Sequence, residues 1–161
     1  MDTKPTVYIL YGSQTGNAEE ISSILFNRCS EELKTIDVKY STLNQFQNNI
    51  NEVERIANMI IIVCSTTGNG DAPDNACLFW RTIKKRSNPP LFKDVPFCVL
   101  GLGDTNYDKF CHMGKSIDTR ISSLGGSRIL PLACADDATD LEETTDSWIE
   151  DVFTTISNYH F

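Results

Sequence analysis

Five short apolar runs punctuate the chain, at residues 7–11, 36–40, 59–64, 96–100 and 128–133. Each is rich in aliphatic or aromatic side chains and bounded by polar turn residues, so each reads as a strand. Between them lie stretches whose apolar positions recur every three or four residues: 18–33, 76–85, 114–124 and 142–157. That spacing predicts amphipathic helices. Residues 43–57 are more polar, but Ile50, Val53 and Ile56 share one helical face, which predicts a helix in the second half of the segment. The run at 59–64, MIIIVC, shows no alternation, as expected of a strand covered on both faces. Strands alternating with helices give an α/β three-layer sandwich around a five-stranded parallel sheet, with right-handed crossovers. Ser87-Asn88-Pro89-Pro90 reads as a turn. No repeat, long linker or low-complexity tract interrupts the pattern, so residues 1–161 are expected to form a single domain.

Composition narrows the function classes. The chain is 40% hydrophobic and 22% charged, ordinary for a soluble globular protein. No apolar run is long enough to span a bilayer, and the opening MDTKPT has no apolar signal core, so neither a membrane span nor secretion is expected. None of the six cysteines forms a C-x-x-C pair, which argues against zinc. With no N-x-[ST] sequon either, a reducing, cytoplasmic setting is expected. Cys64, Cys98 and Cys134 end or interrupt apolar runs and read as small buried hydrophobes. A net charge of −8 argues against non-specific nucleic-acid binding. It suits a basic protein partner, or solubility alone.

Ligands of such sheets sit at the carboxyl ends of the strands. Three strand-end loops carry the candidate chemistry. The first, Gly12 to Ala18, leads from the first strand into the first helix, whose opening turn offers free N–H groups and the positive end of its dipole. Ser13, Thr15 and Asn17 surround it with polar groups, and Gly16 lets the backbone come close. The loop has no Lys or Arg, no G-K-[ST] ending and no G-x-G-x-x-G. A terminal phosphomonoester fits such a cradle better than a pyrophosphate. A helix start simply capped by Thr15 or Asn17 is the alternative. The second loop, residues 65–75, opens with the small and polar residues Ser65, Thr66, Thr67, Gly68, Asn69 and Gly70. The third, residues 102–111, presents Tyr107 and Phe110. Two loops able to clasp a flat edge, an aromatic and a phosphate cradle suggest flavin mononucleotide (FMN). Other chemistries of this architecture lack their residues. Cys64-Ser65 and Gly12-Ser13 stand where a receiver domain needs aspartates, the first loop has no Cys or Arg for a phosphatase, and no G-x-S-x-G elbow exists. His112 and His160 have no partner in sequence and read as structural or exposed.

The stretches YGSQTGNAEE, CSTTGNGDAPDN, VLGLGDTNYDKFC and ACADDATDLEE together resemble the FMN-binding, flavodoxin-like domain of the diflavin reductases, in order and over nearly the whole chain. Within that family, STTGNGDAPDN, FCHMGKSID with Arg120, and ADDATDLEE with SWI look most like methionine synthase reductase. The iron–sulfur assembly reductase is close behind, through GSQTGNA, DNACLFWR and the NPP turn. The resemblance implies a flavodoxin-like sheet of order 2-1-3-4-5 in its short-chain form. It implies that Ser13, Gln14, Thr15, Gly16, Asn17 and Ala18 hold the FMN phosphate. Ser65, Thr66, Thr67 and Gly68 would line the inner side of the flavin, Asn69 and Gly70 would also belong to the cofactor site, and a peptide near Gly68 could flip towards the ring. On the outer side would lie Leu102, Gly103, Asp104, Tyr107, Phe110 and Cys111, with Tyr107 stacking and Asp137 near the ribityl chain. Asp136, Asp140, Glu142 and Glu143 match an acidic patch that docks redox partners. Two residues depart from P450 reductase: Thr67 replaces a second stacking tyrosine, and Asp104 stands where an Asn is common. The implied function is single-electron transfer from an FAD domain, with NADPH as ultimate donor, to an acceptor protein such as methionine synthase. Nothing in the chain could bind a dinucleotide, so an excised FMN domain or a stand-alone carrier, most simply a monomer, is expected. A scaffold that has lost its ligand and a self-sufficient quinone reductase are the rival readings, and intact loops speak against the first.

Overall fold

The computed structural model describes residues 3–161. Its elements run in the order β1 (Thr6–Gly12), α1 (Asn17–Glu32), β2 (Asp37–Thr42), α2 (Leu43–Gln47), a 3-10 turn (Ile50–Glu52), α3 (Val53–Ile56), β3 (Met59–Ser65), α4 (Cys77–Ile83), β4 (Pro96–Gly103), α5 (His112–Ser123), β5 (Ser127–Arg128), β6 (Ala133–Asp136) and α6 (Leu141–Asn158). The sheet is parallel in the order β2-β1-β3-β4-β5, with β6 also paired to β4. The expected doubly wound architecture and strand order are therefore present, with one strand more than expected.

The extra strand comes from a break in the fifth run. Phe97 pairs with Arg128 and Leu100 with Ala133, so β4 advances three residues while its partner advances five. Pro131 sits in that gap. It has no N–H to give the ladder, and the chain bulges there before resuming as β6.

Residues 43–57 also differ from expectation. The helix begins in the first half, not the second. Thr42 accepts from the Gln45 N–H at 3.1 Å while the Gln45 side chain accepts from the Thr42 N–H at 2.9 Å. This is a capping box, and its T-x-x-Q spacing is the missed signal. The second half holds only a 3-10 turn and the four-residue α3.

Alternation along each strand splits the core in two. Val7, Ile9, Met59, Ile61, Val63, Cys98 and Leu100 face α1 and α6. Leu10, Ile60, Ile62, Cys64, Phe97 and Val99 face α2, α4 and α5. All of β3 but its last residue is buried, which is why its sequence does not alternate. β2, at the sheet edge, carries the exposed Asp37–Lys39 pair, a charge pattern that discourages edge pairing.

Helix α5 matters most for the site because its start closes the third loop. The glycines Gly101 and Gly114 let it lie against β4: a Cβ at Gly114 would stand 2.6 Å from the Gly101 Cα. Buried Asp118 accepts two hydrogen bonds from Arg128, at 3.0 and 2.8 Å, fixing α5 to β5. Arg120 donates to the Ile83 and Lys85 carbonyls at 2.7 Å, so it satisfies the open end of α4.

Candidate cofactor site

The loops after β1, β3, β4 and β6 meet at the carboxyl edge of the sheet. The first loop ends on Gly16, which is the N-cap of α1 at φ 101°. This left-handed conformation suits glycine. Neither Thr15 nor Asn17 caps the helix; no side chain does. The Ser13 hydroxyl turns back inside the loop and accepts from the Gly16 N–H at 2.9 Å. The N–H groups of the first helical turn have no intrahelical partner, and the space beside Gly16 is open: a Cβ there would meet no atom within 4 Å. Glu19 and Glu20 also lie in this turn, where the dipole favours them.

The loop is held from the side by Asn44 and by the last two residues of the second loop, Asp74 and Asn75. Asn75 accepts from the Ser13 N–H at 2.8 Å. Asp74 is bracketed by Gln14, which accepts from its N–H at 3.0 Å and donates to its carboxylate at 3.4 Å. Asn44, on α2, donates to the Asp74 carbonyl and accepts from the Phe79 N–H. Gln14 thus braces the first loop against the second. Gly12 makes the close approach possible: a Cβ there would stand 2.7 Å from the Ala76 Cβ.

The second loop folds into a small hairpin. Thr67 and Asp71 form a bridge, Gly70 donates to the Thr67 carbonyl at 2.8 Å, and Gly70 takes φ 94°. A three-residue connection with a left-handed third residue is a familiar hairpin turn. Gly68 and Asn69 are exposed at its tip. The Thr67 hydroxyl donates to the Asp71 carbonyl, so it is engaged inside the hairpin. Thr66 serves a different element. Its hydroxyl accepts from the Met113 N–H at 3.0 Å and so caps α5 from the loop that follows β3.

In the third loop, Asp104 accepts from the Asn106 N–H at 2.8 Å and its carbonyl from the Tyr107 N–H at 3.0 Å. This local Asx turn projects Tyr107, which is 59% exposed. Tyr107 stands between two clefts. One, of about 200 Å³, is lined by residues including Asn17, Ser65, Leu102, Asp104 and Asp137. The other, of about 310 Å³, is lined by Gly68, Asn69, Asn106, Asp108 and Lys109 as well as Tyr107. Phe110 is half-buried against Gly103 and beneath Lys115. Cys111 is buried at the start of α5 with φ 53°.

Asp136 corrects the expected acidic patch. It is 6% exposed and accepts from the Thr105 N–H, the Thr105 hydroxyl, the Ala138 N–H and the Thr139 hydroxyl. The Thr105 bonds, foremost among these donors, hold its carboxyl below the usual range. Asp136 is a knot between the third loop and the start of α6, and its side chain is unavailable for docking. Asp140, Glu142 and Glu143 are exposed, and Asp146 joins them.

The donor set fits FMN. An uncapped helix start beside an open glycine suits a phosphate, and a lone exposed aromatic between two clefts suits a flat ring. The smaller cleft contains no cation, consistent with a site in which backbone N–H groups receive the anion.

Residues 9–148 match the model of the Flavodoxin family. NADPH-dependent diflavin oxidoreductase 1 of Bos taurus is 37% identical over 155 residues, covering 94% of this chain and 25% of that protein. The Sulfite reductase (NADPH) flavoprotein alpha-component of Bacillus subtilis is 38% identical, covering 91% and 23%. Methionine synthase reductase of Caenorhabditis elegans is 37% identical, covering 93% and 22%. The chain spans about a quarter of the length of these curated relatives. Among solved structures, oxidised Flavodoxin 1 from Bacillus cereus superposes with a TM-score of 0.77 at 16% identity, over 96% of this chain and 99% of that one. A cysteine-to-serine mutant of flavodoxin from Pseudomonas aeruginosa gives 0.74 at 25% identity, over 95% and 99%. With the family model matched over most of its length and the fold in agreement, this chain belongs to the flavodoxin family, whose cofactor is FMN.

Proposed function

We propose that the chain is the FMN-binding electron-transfer domain of an NADPH-dependent diflavin oxidoreductase. In this reading it accepts electrons from an FAD- and NADPH-binding domain and delivers them singly to an acceptor protein. The observation that carries it is the open N-terminus of α1 beside clefts walled by Tyr107. FMN, when bound, supplies the redox chemistry. The chain's own residues bind and orient it. The N–H groups of Asn17 and Ala18 and the polar groups of Ser13 and Thr15 would hold the phosphate. Tyr107 would cover one face of the ring. The Thr67 hydroxyl is tied to Asp71, so the opposite face has no aromatic cover from that position. Asp104, Asp108 and Asp137 put carboxylates around the clefts, where they disfavour added negative charge on the ring. Gly68, exposed and uncrowded, lets its peptide rotate at little cost.

The docking surface in this reading is Asp140, Glu142, Glu143 and Asp146. Their support is position: Leu141, among them, lines the same cleft as Tyr107 and Asp137. A basic partner face seated there would lie next to the flavin edge. The acceptor we favour is the cobalamin of methionine synthase, on the motif likeness described above. A reducing, cytoplasmic setting accords with six free cysteines, and no helix of the described residues is long and apolar enough to cross a membrane.

The test is direct. The purified chain should bind FMN in a 1:1 complex by calorimetry and take up electrons in separate one-electron steps during photoreduction. Failure to bind FMN would remove the proposal. The reduced chain is then mixed in a stopped-flow instrument with methionine synthase, with sulfite reductase haemoprotein and with an iron–sulfur assembly acceptor. Fastest oxidation by either of the latter would reassign the acceptor while leaving the carrier role intact.

A further inference from the structure

Two cysteines meet beneath the start of α5. Cys134 lies on β6 directly opposite Gly101 of β4. Ala135, the next residue, packs into the α1–α6 core, so alternation directs Cys134 to the other face, where α5 lies. Cys111 comes down onto the same spot from above. A Cβ at Gly101 would stand 3.5 Å from the Cys111 Cβ and 3.6 Å from its sulfur. The Cys111 sulfur is 3.9 Å from the Ala135 carbonyl oxygen. Gly101 thus leaves space on the α5 side of the sheet, next to its strand partner Cys134, into which the Cys111 side chain packs.

The two sulfurs are unlike. Cys111 is buried, whereas Cys134 is only half-buried, contrary to the buried role expected from its place in an apolar run. The influence of each on the other, together with burial, raises the Cys111 thiol, and the same pairing lowers that of Cys134. Lys115, one turn along α5, lowers Cys134 further, against burial and Asp118. The accessible sulfur is therefore the better nucleophile, and the hidden one is placed to resolve it.

We propose that Cys134 and Cys111 form a redox-active dithiol that a hydroperoxide closes into an intramolecular disulfide, fastening the end of the 104–111 loop to the edge of the sheet. The Cys134 thiolate attacks the peroxide, the O–O bond breaks, and Cys134 becomes a sulfenic acid with release of water or alcohol. The Cys111 sulfur then forms the S–S bond, and the Cys134 S–O bond breaks, releasing water. In sum, two thiols lose two electrons and two protons, and the peroxide is reduced. The disulfide would add a covalent tie between the outer wall of the cofactor cleft and β6, two elements that the Asp136–Thr105 hydrogen bonds already hold together.

The experiment treats the FMN-loaded 161-residue chain with one equivalent of hydrogen peroxide and reads it by intact mass and non-reducing peptide mapping. The expected result is a loss of about 2 Da, a cross-linked peptide pair containing Cys111 and Cys134, and reversal by dithiothreitol. Cys77 is the other partly exposed cysteine, so Cys77→Ser should oxidise like wild type. Cys134→Ser should lose the 2 Da change, and Cys111→Ser should accumulate a dimedone-reactive sulfenic acid at residue 134. Oxidation that maps first to Cys77, over-oxidation of Cys134 without a cross-link, or six thiols left untouched would each overturn the proposal. If a serine variant does not fold, the wild-type peptide map decides alone.

Discussion

Substituting Gly114 by Ala sets two effects of opposite sign against each other. Alanine in a helix is favoured over glycine by up to about 1 kcal/mol. Gly114 does not need a left-handed backbone, so no conformational strain opposes the change. Packing does. The new Cβ would stand 2.6 Å from the Gly101 Cα and 3.3 Å from its nitrogen, both backbone atoms of a central strand. Carbon atoms rest about 3.5–4.0 Å apart, so the helix start must withdraw by about 1 Å. Overpacking costs about 1–3 kcal/mol, and because the atoms met here are backbone that cannot turn aside, the upper part of that range, about 2–3 kcal/mol, applies. The packing term wins, leaving a net destabilisation of about 1–2 kcal/mol. For a chain of this size that lowers the melting temperature by about 2–8 °C. The withdrawal also strains the Thr66–Met113 hydrogen bond that ties the second loop to α5, so FMN should bind more weakly too. Urea and thermal unfolding followed by circular dichroism measure the first effect, and calorimetry the second. Ser116→Ala on the same helix is the control and should be neutral or slightly stabilising. A Gly114→Ala protein as stable as wild type would refute the account of α5 seating.

Three further outcomes are expected. Gly16→Ala meets no neighbouring atom but must hold φ near 101°, so it should cost about 1–2 kcal/mol and weaken FMN binding; unchanged unfolding and binding would contradict the reading of this loop. Tyr107→Ala removes the exposed ring between the clefts and should raise the FMN dissociation constant by about 5-fold or more, taking flat-ring stacking at about 1–3 kcal/mol; equal affinity by fluorescence titration would sink its stacking role. Asp136 has a depressed carboxyl, so its stabilising contribution is present above the ordinary carboxylate pKa and disappears as pH falls through its lower folded value. Between about pH 5 and pH 2 the wild type should therefore lose more stability than Asp136→Asn, and identical urea midpoint slopes would show the knot to be energetically idle.

Much of the architecture was legible because it rests on local pattern. Strands β1, β3 and β4 and helices α1, α5 and α6 lie close to where apolar spacing places them. The start of α2 is legible too, in the capping box Thr42-x-x-Gln45, whereas the apolar positions further on are too sparse to extend the helix. The break at Pro131 also has a sequence cause. Its slip against β4 could not be read there, because register is set between strands. Within the site, the loops that meet are the ones their glycines and hydroxyls marked. The residues that hold those loops in place, Asn44, Asp74 and Asn75, carry no signal of their own, since each acts on a group distant in the chain.

The sequence by itself determined the class of fold, the strand-end position of the site and the absence of a cation from the first loop, since these follow from periodicity and residue type near one another. Tertiary structure alone decided that the helix start is left uncapped, that Asp136 is a buried knot while Asp140, Glu142 and Glu143 face outward, and that Cys111 packs over Gly101, the strand partner of Cys134. The reason is physical. A side chain's polarity is fixed by its chemistry, but its burial, its partners and the charge it holds depend on which other segments the packed sheet and helices bring within a few ångströms of it.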